Sequence, residues 1–267
     1  MFGNYILPIL IIAGAGLLCS VVLVVASKFM AVKVDERYAK LRGALPGVNC
    51  GACGYSGCDQ YAKALNEDPN VKTNLCVPGA DAVSREISSI LGVDFADVEE
   101  QYAIVKCGGN CHSTEYIMDY EGPQTCEACN AFFQGRSSCS HACLGFGDCV
   151  AECKYDAIHV IDGVAYVDKD KCVGCGMCAR KCPNHLIQII DARSHVYVGC
   201  SSHDKGAYTR KVCKSGCIGC KKCEKTCPSG AITVDNNLAS VDPAKCTNCG
   251  ACVAVCPTGA IKSHLED

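Results

Sequence analysis

The sequence predicts an α+β protein with one N-terminal transmembrane helix, a small helical four-cysteine domain and two similar cysteine-rich units. Three observations support this prediction. Residues Tyr5 to Ser27 include no charged side chain, 27 of the 267 residues are cysteine, and three runs of cysteines share one spacing. The expected boundaries are 1–30 for the membrane anchor, 31–98 for the four-cysteine domain, 99–198 for the first unit with its cysteine-rich lead-in, and 199–267 for the second.

The first segment has the length of a membrane span. As a helix, Tyr5 to Ser27 would reach about 34 Å, which exceeds a hydrocarbon core of about 30 Å. A cleaved signal peptide is the alternative, but Met1 to Asn4 contains no Lys or Arg and no small-x-small cleavage site follows. We therefore expect a retained, single-pass anchor in the cell (inner) membrane.

Basic residues follow this span, whereas the short segment before it has none. They are Lys28, Lys33, Arg37, Lys40 and Arg42. By the positive-inside bias, the C-terminal bulk of the chain is predicted to face the cytoplasm.

The cysteine content points to metal binding rather than to disulfides. Disulfide scaffolds of this density are short secreted domains, whereas this chain is long and has an odd number of cysteines, many of them two or three residues apart. The reducing cytoplasm also preserves thiolates as metal ligands. A net charge of −3 gives no indication of a nucleic-acid partner.

Three cysteine runs have the pattern C-x2-C-x2-C-x3-C followed by proline. They are Cys172, Cys175, Cys178 and Cys182; Cys217, Cys220, Cys223 and Cys227; and Cys246, Cys249, Cys252 and Cys256. This is the bacterial ferredoxin pattern, in which three thiolates bind one [4Fe–4S] cluster and the fourth binds the neighbouring cluster. Zinc sites instead combine two separated C-x2-C pairs, so the spacing disfavours zinc.

The runs form two copies of a two-cluster unit, because Cys153 and Cys182 are separated by 29 residues, as are Cys227 and Cys256. A similar tail follows each of these four cysteines, which indicates one half-unit used four times. The tails are Asp156-Ala157-Ile158, His185-Leu186-Ile187, Gly230-Ala231-Ile232 and Gly259-Ala260-Ile261. The predicted ligand sets are Cys153 with Cys172, Cys175 and Cys178; Cys256 with Cys217, Cys220 and Cys223; and Cys227 with Cys246, Cys249 and Cys252.

The other half of the first unit departs from the pattern. Phe146 stands where the spacing would put a cysteine, and Lys154 replaces the proline. Cys139 is the nearest substitute. The predicted set is therefore Cys139, Cys143, Cys149 and Cys182.

The segment after the anchor has a separate four-cysteine pattern, with Cys50, Cys53 and Cys58 close together and Cys76 further on. Interleaved glycines allow close backbone approach to a further [4Fe–4S] cluster. Helices are expected from Cys58 to Leu65 and from about Ala80 to Leu91.

Six cysteines remain besides Cys19. They are Cys107, Cys111, Cys126, Cys129, Cys200 and Cys213. Four of them would hold one more cluster; the alternative is that two or more are buried free thiols. At least five clusters are thus expected, and six if this group binds one. The histidines show no Rieske pattern, and His112 and His141 are expected at the surface or behind the ligands.

The order of anchor, Cys50–Cys76 site and ferredoxin-like units resembles the B subunit of the Rnf complex, the ion-translocating ferredoxin:NAD⁺ oxidoreductase. The resemblance covers the whole chain, and its most specific part is the Cys50–Cys76 pattern placed after a lone membrane helix. It carries the family's cluster ligands onto that pattern and onto the three regular runs. It also implies that reduced ferredoxin supplies electrons, which this subunit relays to membrane-embedded and flavin-bearing subunits. Those partners reduce NAD⁺ while Na⁺ or H⁺ crosses the membrane.

Two alternatives stay open. One is a polyferredoxin subunit of another membrane enzyme, such as a hydrogenase or quinone-linked reductase, and the other is a structural zinc protein. The chain has no Gly-rich dinucleotide loop, flavin motif or intramembrane charge, so nicotinamide chemistry and ion passage must belong to other subunits and no catalytic residue is expected.

Electrons are expected to enter at the C-terminal unit and to leave from the Cys50–Cys76 site. The segment from Lys205 to Lys225 contains seven basic residues and one acid, a charge that would suit docking of an acidic ferredoxin; the alternative is a merely solvated face.

Overall fold

The computed structural model describes residues 3–29, 35–132 and 134–264 and forms two compact units, Met1–Lys40 and Leu41–Asp267. Lys33 of the expected basic flank, the residues Met1 and Phe2, and the chain end at 265–267 lie outside the described residues. The mixed helix and strand content confirms the α+β class. The boundaries predicted at 98 and 198, within the second unit, stay predictions.

The first unit contains the apolar helix α1, Gly3–Phe29. Its segment Leu10–Lys28 has a mean hydropathy of 2.6 and exposed apolar side chains, and among the described residues it is the one helix long and apolar enough to cross a membrane.

Short helices and strands alternate in the rest of the chain. The further helices are α2 Glu36–Ala44, α3 Cys58–Glu67, α4 Ala80–Leu91, α5 Cys126–Asn130, α6 Asp148–Glu152, α7 Met177–Lys181, α8 Gly206–Val212, α9 Lys222–Thr226 and α10 Ala251–Ala254. The strands are β1 Gln101–Val105, β2 Ile158–Ile161, β3 Val164–Val167, β4 Ile187–Asp191, β5 Val196–Val198, β6 Ile232–Asp235, β7 Leu238–Val241 and β8 Ile261–Ser263.

The described strands form four antiparallel pairs. They are β1 with β4, β2 with β3, β5 with β8, and β6 with β7. Gln101 lies opposite Asp191 in the first pair, and Val196 lies opposite Ser263 in the third. The pairs β2–β3 and β6–β7 are two-residue hairpins whose turn residues, Asp162-Gly163 and Asn236-Asn237, all have positive φ, as the twist of such hairpins requires.

The backbone repeats itself four times. Each repeat has three residues in the left-handed region, separated by the same two intervals along the chain. They are 145, 147 and 156; 174, 176 and 185; 219, 221 and 230; and 248, 250 and 259. The middle residue precedes a short helix, and the third precedes a buried Ala or Leu and a strand. The repeat at 145–156 keeps this backbone although Phe146 interrupts its cysteine spacing.

Both helices expected near the Cys50–Cys76 pattern are confirmed, with α3 extending to Glu67 and α4 spanning Ala80–Leu91. The buried side chains of Tyr61, Leu65 and Ile87 provide their packing, and the Tyr61 hydroxyl donates to the Lys72 carbonyl at 2.7 Å.

Candidate metal centres

Among the described residues of the unit Leu41–Asp267, cysteine side chains come together at six places, and at five of these the structure brings four together. We number these places so that neighbours have consecutive numbers. Site 1 is Cys50, Cys53, Cys58 and Cys76; site 2 is Cys153, Cys172, Cys175 and Cys178; site 3 is Cys126, Cys143, Cys149 and Cys182; site 4 is Cys107, Cys139, Cys200 and Cys213; site 5 is Cys217, Cys220, Cys223 and Cys256; site 6 brings together Cys227, Cys246 and Cys252, and Cys249 stays its predicted fourth ligand.

Site 1 lies where the loop after α2 meets α3. The Asn49 side-chain oxygen accepts the Cys58 backbone N–H at 2.8 Å, which fixes the loop against the start of the helix. Burial raises the pKa of Cys76 to about 11, with smaller contributions from the nearby thiols of Cys58, Cys50 and Cys53. The four predicted cysteines are thus neighbours.

Site 2 is a small cavity lined by its four cysteines. Burial, followed by the thiols of Cys172, Cys175 and Cys153, raises the pKa of Cys178 to about 12. The Ala103 backbone N–H donates to Cys172 Sγ at 3.4 Å. This grouping agrees with the crossed pattern of the sequence.

Site 3 differs from the predicted set. Its small cavity is lined by Cys126, Cys143, Cys149 and Cys182. Burial raises the pKa of Cys149 to about 12, and the thiols of Cys143, Cys126 and Cys182 contribute. The structure therefore places Cys126, and not Cys139, with the other three.

Helix α5 delivers Cys126 to this site. Phe146 occupies the position of the missing cysteine, and Asp148, at the start of α6, accepts the backbone N–H groups of Cys126 and Glu127 at 2.9 and 3.1 Å. Thr125 caps α5 by accepting the Ala128 N–H. Cys126, which lies 17 positions before Cys143 in the chain, thereby supplies the fourth thiol in place of the cysteine that is absent at Phe146.

Cys139 belongs to site 4. This site is a small cavity that is also lined by Cys107, Cys200 and Cys213. Burial raises the pKa of Cys139 to about 11, with smaller contributions from Cys213 and Cys200.

Backbone pairing explains the position of Cys139. Isolated bridges join Tyr116 to Ser137 and Thr114 to Cys213, so the segment ending at Cys139 lies beside Cys213. Of the six cysteines unassigned by spacing, three therefore lie at site 4 and Cys126 lies at site 3. Cys129 is 1% exposed and packs beside Leu144, and Cys111 is exposed; neither joins a four-cysteine site.

Sites 5 and 6 have the crossed arrangement of a two-cluster unit. Burial raises the pKa of Cys223 to about 11, with contributions from Cys217, Cys220 and Cys256. Cys220 and Cys249 are exposed, so one ligand of each site lies at the surface.

The spacing of the thiols distinguishes iron–sulfur clusters from single zinc ions. Two sulfurs bonded to one zinc lie about 3.8 Å apart, whereas a four-iron cube holds its thiolates at separate corners. Among the described residues, no three cysteines have sulfurs that all lie within 4.8 Å of one another. The sites therefore fit [4Fe–4S] clusters better than zinc.

Known families match three parts of the chain. The family described as "4Fe-4S dicluster domain" matches residues 216–260, "4Fe-4S binding domain" matches 165–188, and "Putative Fe-S cluster" matches 45–78. These segments contain sites 5 and 6, part of site 2, and site 1.

Curated relatives cover most of the chain. The B subunit of a proton-translocating ferredoxin:NAD(+) oxidoreductase complex from Clostridium ljungdahlii is 42% identical over 90% of this chain and 85% of its own length. The chain belongs to the family of Rnf complex B subunits. The B subunit of an ion-translocating oxidoreductase complex from Methanosarcina acetivorans is 41% identical over 89% of this chain and 90% of its own length. The B subunit of a Na(+)-translocating ferredoxin:NAD(+) oxidoreductase complex from Acetobacterium woodii is 34% identical over 91% of this chain and 73% of its own length.

Membership in this Rnf family confirms the resemblance seen in the sequence. The chain is an iron–sulfur electron-transfer subunit of an ion-translocating ferredoxin:NAD⁺ oxidoreductase. This assignment excludes the hydrogenase, quinone-reductase and zinc-protein alternatives. Together with the apolar helix α1, it indicates a membrane-anchored subunit.

The sites of this Rnf protein follow one another without interruption. Burial raises the pKa of Cys175 in site 2, a hydrogen bond from the Met177 backbone lowers it, and Cys50 of site 1 is the neighbouring thiol that raises it most. Cys178 of site 2 likewise acts on the pKa of Cys149 in site 3. The Cys143 N–H of site 3 donates to Cys107 Sγ of site 4 at 3.4 Å.

The series continues into the C-terminal part of the chain. Burial raises the pKa of Cys217 in site 5, and Cys200 of site 4 is among the thiols that raise it further. Cysteines of sites 5 and 6 then share one hydrophobic core with Val198 and Ile232. Every site therefore has a neighbouring site.

Proposed function

We propose that this subunit holds six [4Fe–4S] clusters, one at each of sites 1 to 6, and relays single electrons along them from ferredoxin to partner subunits of the complex. The observation that carries the proposal is that cysteine thiols converge at six successive places, four of them at each of sites 1 to 5.

A [4Fe–4S] cluster supplies one-electron transfer, and its potential depends on burial, charge and hydrogen bonds to sulfur. The chain provides these influences differently at each site. Backbone N–H groups of Leu186 and Ala231 donate to Cys182 and Cys227 at 3.4 and 3.3 Å, because each tail folds back on its cysteine. Sites 2 to 4 are largely enclosed, whereas sites 5 and 6 each expose one ligand.

The exposed side of site 5 supports electron uptake there from an acidic ferredoxin. The basic side chains between Lys205 and Lys225 are all exposed, and Cys220 lies among them. Positive charge around an exposed ligand favours encounter with an acidic donor. The opposite end of the series is site 1, which follows α1 most closely in the sequence and is the proposed point of electron delivery.

We further propose that α1 crosses the inner membrane once, with the C-terminal bulk in the cytoplasm. The basic residues after α1 support this orientation. Flavin-bearing and membrane subunits would then complete NAD⁺ reduction and ion transfer. Relatives are named for protons in one case and for Na⁺ in another, and this proposal holds for either ion.

The test is to measure iron and acid-labile sulfide per chain in anaerobically purified full-length protein, with EPR of the reduced form. About 24 irons per chain are expected for six clusters. About 20 irons would contradict the sixth cluster, and zinc with little iron would contradict the whole proposal.

A further inference from the structure

Three potential metal ligands outside the six sites meet at the surface. The Cys111 sulfur, a His112 ring nitrogen and an Asp162 carboxylate oxygen all lie within 4.8 Å of one another, and all three residues are exposed. We propose that Cys111, His112 and Asp162 bind one divalent transition-metal ion of the Zn²⁺ class. This site is independent of the electron relay, because Zn²⁺ does not change oxidation state.

Backbone hydrogen bonds hold the two contributing segments together. The Cys111 N–H donates to the Asp162 carbonyl at 2.9 Å, so the loop after β1 is joined to the turn of the β2–β3 hairpin. Asp162 has φ of 50°, which its place in that turn requires. The ligands therefore come from two segments whose approach does not depend on the metal.

A tight turn also brings two consecutive side chains to the same place. The Asn110 carbonyl accepts the N–H groups of Ser113 and Thr114 at 2.9 and 3.0 Å, which curls the chain around Cys111 and His112. The Thr114 hydroxyl then donates to the Val212 carbonyl at 2.8 Å and fixes the end of the turn. Sequence neighbours in an extended segment would point apart, so this turn is what makes a shared ligand set feasible.

The donor set determines the class of metal. Thiolate, imidazole and one carboxylate suit Zn²⁺, whereas Ca²⁺ and Mg²⁺ need oxygen ligands. Bonds of 2.0 to 2.3 Å place the ligands of a tetrahedral ion roughly 3.3 to 3.8 Å apart, so exposed side chains within 4.8 Å reach it by moving about 1 Å. Solvent exposure leaves the fourth position to water.

The test uses full-length, cluster-loaded protein in detergent under anaerobic conditions, with Zn²⁺ as the probe. Equilibrium dialysis measures zinc bound per chain, and X-ray absorption at the zinc edge, which iron does not obscure, identifies the ligands. We expect one zinc per chain, bound by one sulfur and by nitrogen and oxygen. His112→Ala and Asp162→Asn should each weaken binding by at least about tenfold, since even indirect partners of a metal ligand contribute 10–100-fold.

The matched control is His159→Ala, which removes an imidazole from strand β2 of the same hairpin and should leave zinc binding unchanged. His159 lies 3.8 Å from Asp156 and is not part of the ligand group. Iron and sulfide counts must stay constant in all variants, which shows that the protein remains folded and loaded. Zinc bound by sulfur alone, equal binding by all variants, or no zinc bound would each overturn the proposal.

Discussion

At the scale of single residues, one exchange determines the composition of site 3. Phe146 occupies a ligand position of the ferredoxin pattern, and Cys126 supplies the missing thiol from α5, where Asp148 holds it. Cys129 lies one helical turn further on in α5 but packs against Leu144 instead. Two buried cysteines of the same short helix thus have different roles.

The variant Cys126→Ser should lose the cluster of site 3, because only three thiolates remain for four irons. Iron should fall by about four per chain, and one EPR signal should disappear. Cys129→Ser is the control and should retain all iron. If Cys139→Ser lost the EPR signal of site 3 while Cys126→Ser kept it, the ligand set predicted from spacing would be correct instead.

At the scale of helices and strands, a contact from α7 connects site 1 to site 2. The Arg180 guanidinium donates to the Cys50 carbonyl at 2.5 Å, and Arg180 lies two residues after the site 2 ligand Cys178. A positive charge near a cluster favours its reduced form, since reduction adds negative charge.

Arg180→Gln should therefore make the potential of the site 1 or site 2 cluster more negative, by about 10–40 mV for a partly solvated charge. Redox titration followed by EPR measures this shift. Lys181→Gln removes an equal charge from the same helix, where Lys181 pairs with the exposed Glu127 at 3.2 Å, and should have a smaller effect. Equal shifts in both variants would argue against a specific role for the Arg180 contact.

How far the sequence predicted these elements depends on the range of the contacts that build them. The helices α3 and α4 and the groupings of sites 1, 2, 5 and 6 arise from local spacing and periodicity, so the sequence contained them. Site 4 depends on backbone bridges that bring Thr114 beside Cys213 and Tyr116 beside Ser137. Such non-local pairing has no signature in cysteine spacing, and for that reason the spacing grouped Cys139 with different neighbours from those it has in the structure.

At the scale of the whole molecule, the six sites form one series with a surface-exposed end and an end near the membrane anchor in sequence. Electron flow from uptake at site 5 to delivery at site 1 requires every site between them, whereas site 6 lies beyond the uptake point. The two ends of this path can therefore be tested separately. Each end gives a distinct prediction.

At the delivery end, Cys58→Ser should leave the distal clusters reducible by ferredoxin while NAD⁺ reduction by the assembled complex stops. The reason is that only site 1 is disrupted. EPR after reduction with ferredoxin and an assay of NADH formation measure the two effects, and Cys19→Ser in α1 is the control. Continued NADH formation in Cys58→Ser would exclude site 1 as the point of delivery.

At the uptake end, the double variant Lys222→Glu and Lys225→Glu should slow electron uptake from an acidic ferredoxin by roughly tenfold at low salt. The rate in the unmodified protein should fall as ionic strength rises, because salt screens exposed charges. Stopped-flow absorbance measures both. The control is Lys63→Glu with Lys72→Glu near site 1, which should change the rate of electron uptake little. An uptake rate that does not depend on salt would contradict docking at this surface.

The crossed ligand sets have a consequence for biosynthesis. Site 1 is complete once the ribosome has passed Cys76, and site 2 once it has passed Cys178, but site 4 waits for Cys213 and site 5 for Cys256. Sites 1 to 4 can therefore be completed on the nascent chain in that order, and sites 5 and 6 only at its end. A chain that stops prematurely after site 3 would be a shorter carrier with three finished sites, whereas one that stops between Cys227 and Cys252 would leave sites 5 and 6 unfinished and open to oxygen.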